Sequence, residues 1–264
     1  MLGGAVTDLL DRAPAHAVME KLASLRGTPD VRELPFGIVR LSKDGLNWLR
    51  GVRGELDMAK RLRRLGDGWT VLHSIPVGSR ESDIDHLVIG PSGVFPINTK
   101  RLVDRRVWVA GGRLLVNGKK RDYLRNSDYE ASRVEGVLRS TGVAAVPVSP
   151  VIAISRAKSL TVRAAPEWND RSIEVALVGD VVRRMTRRPA KLSPEQVAQI
   201  ATLLRDSRSW TSRDVEQTAA SDVRAVYEYI DRGADRWNLL VGAVVLLVAG
   251  LGIAAGIWAW TLLR

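Results

Sequence analysis

The segment FPINTKRL, residues 95–102, runs an apolar strand into Asn98 and then Lys100. Upstream, DIDHLVIG at residues 83–90 places Asp83 and Asp85 two residues apart. Side chains alternate along a strand, so Asp83 and Asp85 share one face while Ile84 and His86 take the other. By the same rule Asn98 and Lys100 share a face. Pro91-Ser92-Gly93 makes a tight turn between the two runs, which sets them as antiparallel neighbours. Asp85 and Asn98 each lie about six residues from the centre of that turn, so the pairing brings the Asp face and the Asn/Lys face together. Such a cluster suits phosphodiester hydrolysis. Carboxylates hold a divalent cation that polarises the phosphate and lowers the pKa of bound water. A lysine beside it positions the nucleophile or offsets the charge developing on phosphorus. Glu55 supplies a further carboxylate if its helix packs its N-terminal end at the site. The amide of Asn98 can ligate a cation but brings no charge; Asp83 and Glu130 are the candidates to compensate. The alternative makes Asp83 and Asp85 solvated strand-end charges and Lys100 the first residue of a loop. His86, on the opposite face, reads as a packed histidine.

Composition narrows the chemistry. The chain has no cysteine, which excludes disulfides, thiolate catalysis and Cys-built zinc sites. His16, His73 and His86 lack ligand spacing, so a metal here is held by oxygen, as Mg²⁺ or Mn²⁺ is. The net charge of +11 favours a phosphate-bearing partner, nucleic acid or an anionic membrane surface. A generally basic soluble surface is the alternative. Arg105, Arg106, Lys119, Lys120 and Arg121 cluster with Arg113 and Arg125, interleaved with Trp108 and Tyr123. That mixture binds a nucleic-acid backbone and stacks bases, or else it is a solvated strand face.

The elements that must position these residues begin with a helix. Leu49, Val52, Leu56, Ala59 and Leu62 recur at helical spacing from residue 48 to about 65. Gly66-Asp67-Gly68 stops that helix. Strands are expected at 69–75, 83–90, 93–99, 105–110 and 113–118, with Asn117-Gly118 as a two-residue hairpin signal. A helix over 127–138, buried strands at 148–154 and 173–178, and helices at 179–187 and 193–205 complete the pattern. The last opens on Ser193-Pro194-Glu195-Gln196, a capping box with Pro in the first turn. This order predicts an α/β fold, with α+β as the alternative, built on a mixed central sheet flanked by helices. Residues 1–47 read as an arm of unknown role, with helix near 18–25 and with Pro29 and Pro35 breaking the segment after it.

At the residues of the site the chain resembles a known family. GVRGE (51–55), VLHSI (71–75), SDIDHLVIGPSGVFPINTK (82–100) and RVWVAGGRLLVNG (106–118) look like the nuclease-related domain, NERD. The resemblance spans roughly residues 48–165. It implies a fold allied to the PD-(D/E)xK nucleases, restriction-endonuclease-like. It assigns the family's site residues to Glu55, Asp85 and Lys100. Taken with the strand-face reading above, the candidate metal ligands are Asp85, Glu55, Asn98 and Asp83. The family pattern places Glu two residues before the lysine, where this chain has Asn98.

Residues 239–263 contain no charged residue. At roughly 1.5 Å per helical residue this run exceeds the ~30 Å core of a bilayer. Trp237, Trp258 and Trp260 lie near its ends, where indole rings favour the interface. A single C-terminal transmembrane helix is therefore expected, with a buried core helix as the alternative. Gly252 and Gly256 form a GxxxG that permits a homodimer through close helix packing. Arg224, Arg232 and Arg236 precede the run and Arg264 ends the chain after it, which puts the N-terminal part in the cytoplasm, beside a bacterial cell's DNA. No basic stretch leading into an apolar run opens the chain, so no signal peptide is expected. The expected organisation is an arm (1–47), a nuclease-fold domain (48–190), a helical segment and stalk (191–236) and a membrane anchor (237–264).

Overall fold

The computed structural model describes residues 8–77, 83–143, 146–210 and 220–262, with side chains as far as residue 251. Along the chain run α1 (His16–Ser24), β1 (Val31–Leu34), β2 (Ile38–Leu41), α2 (Lys43–Leu62), β3 (Thr70–Pro76), β4 (Asp83–Gly90) and β5 (Gly93–Arg101). Then come β6 (Arg106–Ala110), β7 (Arg113–Val116), β8 (Lys119–Lys120), α3 (Tyr123–Ser140), β9 (Val151–Ser155) and β10 (Ser159–Val162). The remaining elements are β11 (Glu167–Trp168), β12 (Arg171–Ser172), β13 (Glu174–Leu177), α4 (Val178–Thr186), α5 (Pro194–Leu204) and α6 (Ala220–Leu262). The chain divides into two compact units, one of Met1–Val18 with Arg50–Ala220, the other of Met19–Leu49 with Ser221–Arg264.

The first unit is built on a five-stranded mixed sheet in the order β13-β9-β5-β4-β3. β3, β4 and β5 are antiparallel neighbours, whereas β9 and β13 run parallel to β5. Both faces are covered, as the near-continuous apolar runs of β4, β5 and β9 require. One face carries Val88, Phe95 and Ile97 against Met58 and Leu62 of α2 and Val181 and Met185 of α4. The other carries Leu87, Ile89 and Val94 against Val134 and Val137 of α3 and Ile200 and Leu204 of α5. The capping box of α5 is formed: Ser193 Oγ accepts from the Gln196 amide, and Gln196 reaches back to the Ser193 amide.

A second sheet, in the order β10-β6-β7-β8, packs Val107, Val109, Leu114 and Val116 against Ile152 and Ile154 of β9 and Leu124 of α3. Asn117 and Gly118 both take positive φ, 49° and 78°, as a two-residue hairpin turn demands. β10, β11 and β12 are short elements that the hydrophobic pattern does not announce. Two-residue strands carry no period to read, and β10 gains its place only by pairing with β6 far back in the chain.

The second unit pairs β1 with β2 as an antiparallel hairpin, Val31 opposite Leu41 and Leu34 opposite Ile38. Pro35 does not break this segment; it opens the turn Pro35-Phe36-Gly37, where its fixed φ is suited. Residues 31–41 thus form an ordered hairpin within the segment whose role the sequence leaves open. It packs on α6: Val39 occupies the space that a side chain at Gly233 would need, and Tyr229 Oη donates to Glu33 Oε2 at 3.1 Å. Arg26 pairs with the same carboxylate at 2.8 Å and holds it below the usual carboxylate range.

α6 runs unbroken to Leu262 and is a candidate membrane span. Only 6% of its apolar window is buried by the rest of the protein, and Leu239, Leu246 and Leu251 lie bare. A core helix of a soluble protein is covered, so this exposure weighs against the alternative. The side chains of Trp258 and Trp260 and the surroundings of Gly252 and Gly256 lie outside the described residues, as do residues 211–219 of the expected stalk.

Candidate functional site

β4 and β5 pair with His86 opposite Ile97, and the same register sets Asp85 across from Asn98. Asp85 Oδ2 accepts the backbone N–H of Thr99 at 2.6 Å, which locks the carboxylate against the end of β5. Lys100 falls within β5, paired with Ile154 of β9, so it is a strand residue and not the start of a loop. Asn98 and Lys100 point toward α3. There Asn98 Nδ2 donates to Glu130 Oε1 at 2.5 Å, and Lys100 Nζ lies 5.5 Å from the centre of the Tyr123 ring. α3 is amphipathic, and Glu130 sits on its buried side with Ser127, Ala131 and Val134.

Glu55 arrives from α2. A Cβ at Gly54 would lie 3.1 Å from Arg101 Cβ and 3.5 Å from Thr99 Cγ2, so the missing side chain lets the helix approach the end of β5. The neighbouring Glu55 is thereby buried, where Asp85, Lys100, Asp83 and Glu130 act on it electrostatically. Asp83 lies toward the rim, with Arg12 at 3.7 Å.

Three carboxyl groups here are harder to ionise than usual. Burial raises Glu55 well above its ordinary range, and the neighbouring Asp85 charge adds to it while Lys100 opposes. Burial also raises Asp85, against the pull of Lys100 and of the Thr99 N–H. Glu130 is pushed up to about 8 by burial and then by Asp85, with Lys100 and Asn98 opposing. One lysine does not balance these acids. Two buried oxygens, Asn98 Oδ1 and Glu130 Oε2, have no hydrogen-bond partner. Crowded carboxyls with orphaned oxygens are what a hard cation relieves. Among the described residues no three His, Asp or Glu side chains group by themselves as a metal site. A divalent ion, were one bound here, would draw on Asp85, Glu130 and the Asn98 amide oxygen, with Glu55 behind them. The donor set of oxygens alone fits Mg²⁺ or Mn²⁺.

His86 is fully buried on the other face of β4, its Nδ1 2.8 Å from His73 Nδ1. Burial and the neighbouring ring hold His86 well below its usual range, and burial brings His73 down to about 4. Both rings are neutral packing groups.

The second sheet presents the basic residues. Along β6, Arg106 and Trp108 are exposed where Val107 and Val109 are buried, and on β7 Arg113 is exposed beside buried Leu114. Trp108 lies between Thr161 of β10 and Leu115 of β7, and Leu115 pairs with Lys120. Arg105, Lys119 and Arg121 are exposed around the same sheet. Tyr123 starts α3 directly after this sheet and contacts Lys100, which joins the basic face to the carboxylate cluster. That contact has no sequence signal beyond an aromatic among cations. Thr99 is likewise silent in the sequence, because its contribution is a backbone N–H.

Residues 50–155 match the family model of the nuclease-related domain, NERD. Glu55, Asp85, Asn98, Lys100 and Glu130 all fall inside the matched segment. No curated protein and no solved structure matches the chain. The segment that carries the site thus resembles a nuclease-related domain and lies on a mixed α/β scaffold.

Proposed function

We propose that this chain is a membrane-tethered protein whose nuclease-related domain binds nucleic acid, DNA foremost, and hydrolyses phosphodiester bonds with Mg²⁺ or Mn²⁺. The observation that carries the reading is the gathering of Glu55, Asp85 and Glu130, all hard to ionise, around Lys100 and two orphaned oxygens. A bound divalent cation supplies Lewis acidity toward a phosphate and lowers the pKa of water it binds. Asp85, fixed by the Thr99 N–H, and Glu130, fixed by Asn98, orient the oxygens that hold it. Lys100, steered by the Tyr123 ring, places a positive charge where a phosphate gathers negative charge. Glu55 lies behind these groups as a proton acceptor or a further ligand. Arg105, Arg106, Lys119, Lys120 and Arg121 grip the phosphate backbone, and Trp108 offers a stacking surface.

A second reading is a binding module that has lost catalysis. Asn98, where the family pattern has Glu, favours it. The two part in one assay: full-length protein in detergent, incubated with plasmid and Mn²⁺ or Mg²⁺. Cleavage is expected, and Lys100→Ala should lower it about 10²-fold or more, the scale of removing one charge-stabilising donor. Salt-sensitive binding without metal-dependent cleavage selects the binding module. Neither binding nor cleavage sinks both.

The candidate span α6 supplies the tether. Arg224, Arg232 and Arg236 precede its uncharged run, an asymmetry that supports a cytoplasmic nuclease-related domain. A reporter that is active only outside the cytoplasmic membrane, fused after Arg264, should be active. Activity of a cytoplasm-only reporter at the same point reverses the topology. The same full-length material, cross-linked in detergent, tests for a homodimer through Gly252 and Gly256.

A further inference from the structure

We infer that the tip of the β1–β2 hairpin is a second membrane contact, with Phe36 seated at the headgroup boundary of an anionic bilayer beside the entry point of α6. The inference rests on reading α6 as a membrane span. Arg236 and Trp237 are the last residues before the uncharged run apart from Asn238. Arg236 Nη1 donates to the carbonyls of Phe36 at 3.3 Å and Gly37 at 3.2 Å. The Arg40 guanidinium lies 5.7 Å from the Trp237 ring centre. These contacts fix the hairpin tip at the level where the helix passes from charged to apolar sequence, the level of the membrane interface.

The tip residue is chosen against its own backbone. Phe36 takes φ 63° and ψ 24°, a left-handed conformation that suits Gly or Asn and is an outlier for a bulky side chain. Turn formation gives no reason for Phe there, and packing gives none either, since the residue is 92% exposed. A lone exposed aromatic needs no account. This one is tied by two hydrogen bonds to the mouth of an apolar helix, with Leu34 also partly bare beside it.

Charge points to the same occupant. Arg32 and Arg40 are directly opposite each other across the hairpin. Like charges in that relation repel. Among the described residues neither has a carboxylate partner; the hairpin's own Glu33 is taken by Arg26 and Tyr229. Arg32 and Arg40 on the hairpin and Arg236 on α6 thus offer exposed guanidinium groups close to the tip's anchoring point, and guanidinium groups match lipid phosphates bidentately. An exposed aromatic at the tip of an arginine-bearing hairpin is the composition of an interfacial anchor.

The absence of cysteine makes the test direct. Single cysteines are introduced by Pro35→Cys, next to Phe36, and by Asn238→Cys, at the start of the apolar run. Each full-length protein is labelled with a polarity-sensitive fluorophore and reconstituted in phosphatidylcholine vesicles containing phosphatidylglycerol. Bromine on the lipid acyl chains should quench both labels, that at 35 at least half as strongly as that at 238. Aqueous acrylamide should reach neither. Phe36→Asp, or Arg32→Glu with Arg40→Glu, should cut lipid quenching at 35 at least threefold and leave 238 unchanged. A label at 238 open to acrylamide overturns the membrane reading of α6. A label at 238 quenched by lipid, with that at 35 open to acrylamide, overturns the hairpin contact alone. Shielding at 35 without lipid quenching also overturns it, because a protein then covers the tip.

Discussion

Glu130→Gln is expected to make the metal-free protein more stable at pH 8, by on the order of 3 kcal/mol, and to leave it nearly unchanged near pH 4.5. The side chain keeps its shape, and its amide oxygen still accepts from Asn98. What it loses is the ability to ionise. In the folded protein Glu130 is pushed up to about 8 from the ordinary 4.5. Between those values the folded state keeps a proton that the unfolded chain has released. Stability therefore falls as pH rises through this window, by up to about 1.4 kcal/mol per pH unit for one such group. Glu55, raised for the same reasons, adds to the slope and remains in the variant. Urea unfolding from pH 4.5 to 8 measures the effect directly. Saturating Mn²⁺ should flatten the wild-type slope, because the ion binds ionised carboxylates and replaces the proton. The variant should respond less to Mn²⁺. An identical pH slope in wild type and Glu130→Gln would mean that Glu130 is ionised throughout, and the crowded-carboxylate picture would fall.

That the acids are crowded is only half visible in the chain. Asp85 and Lys100 declare themselves by alternation in two apolar strands joined by a short turn, because a period of two leaves no freedom about which residues share a face. The hairpin register comes from the same turn, and β4 begins and ends where its pattern does. Glu55 is signalled more weakly, by a helix of good period and by Gly54 beside it. Glu130 is legible only as a carboxylate on a later helix. Its bond to Asn98 depends on how α3 lies on β5, which packing over 32 residues of chain decides. The β1–β2 hairpin is hidden for a different reason. Its strands are four residues each, and Pro35 reads as a breaker until the turn that uses it is seen. Its support comes from α6, nearly two hundred residues away. Local pattern thus exposes what neighbours in sequence build, and conceals what distant segments stabilise.

The residue that departs from the family pattern offers the second large effect. Asn98→Glu puts a carboxylate where Asn98 now donates to Glu130 Oε1. Without metal this removes a hydrogen bond and sets two acids against each other, so one must stay protonated and stability at pH 8 should fall. With metal the sign reverses. The orphaned Asn98 Oδ1 and Glu130 Oε2 are a neutral and an acidic oxygen, each without a partner. A second charge among them should tighten Mn²⁺ binding about tenfold or more, the scale of a ligand-level change. Glu is one methylene longer than Asn, and the half-buried neighbours Asp85 and Lys100 leave the strand end room to adjust. Cleavage should appear or increase, and adding Lys100→Ala should remove the gain, since charge near the metal does not replace charge at the phosphate. If the domain only binds nucleic acid, the variant holds metal more tightly and cuts nothing. If Asn98 lies beyond the ion's reach, metal affinity is the same in both proteins and only the stability loss is seen. Mn²⁺ titration read by thermal unfolding, with plasmid nicking alongside, separates the three outcomes, because each moves a different pair of readouts.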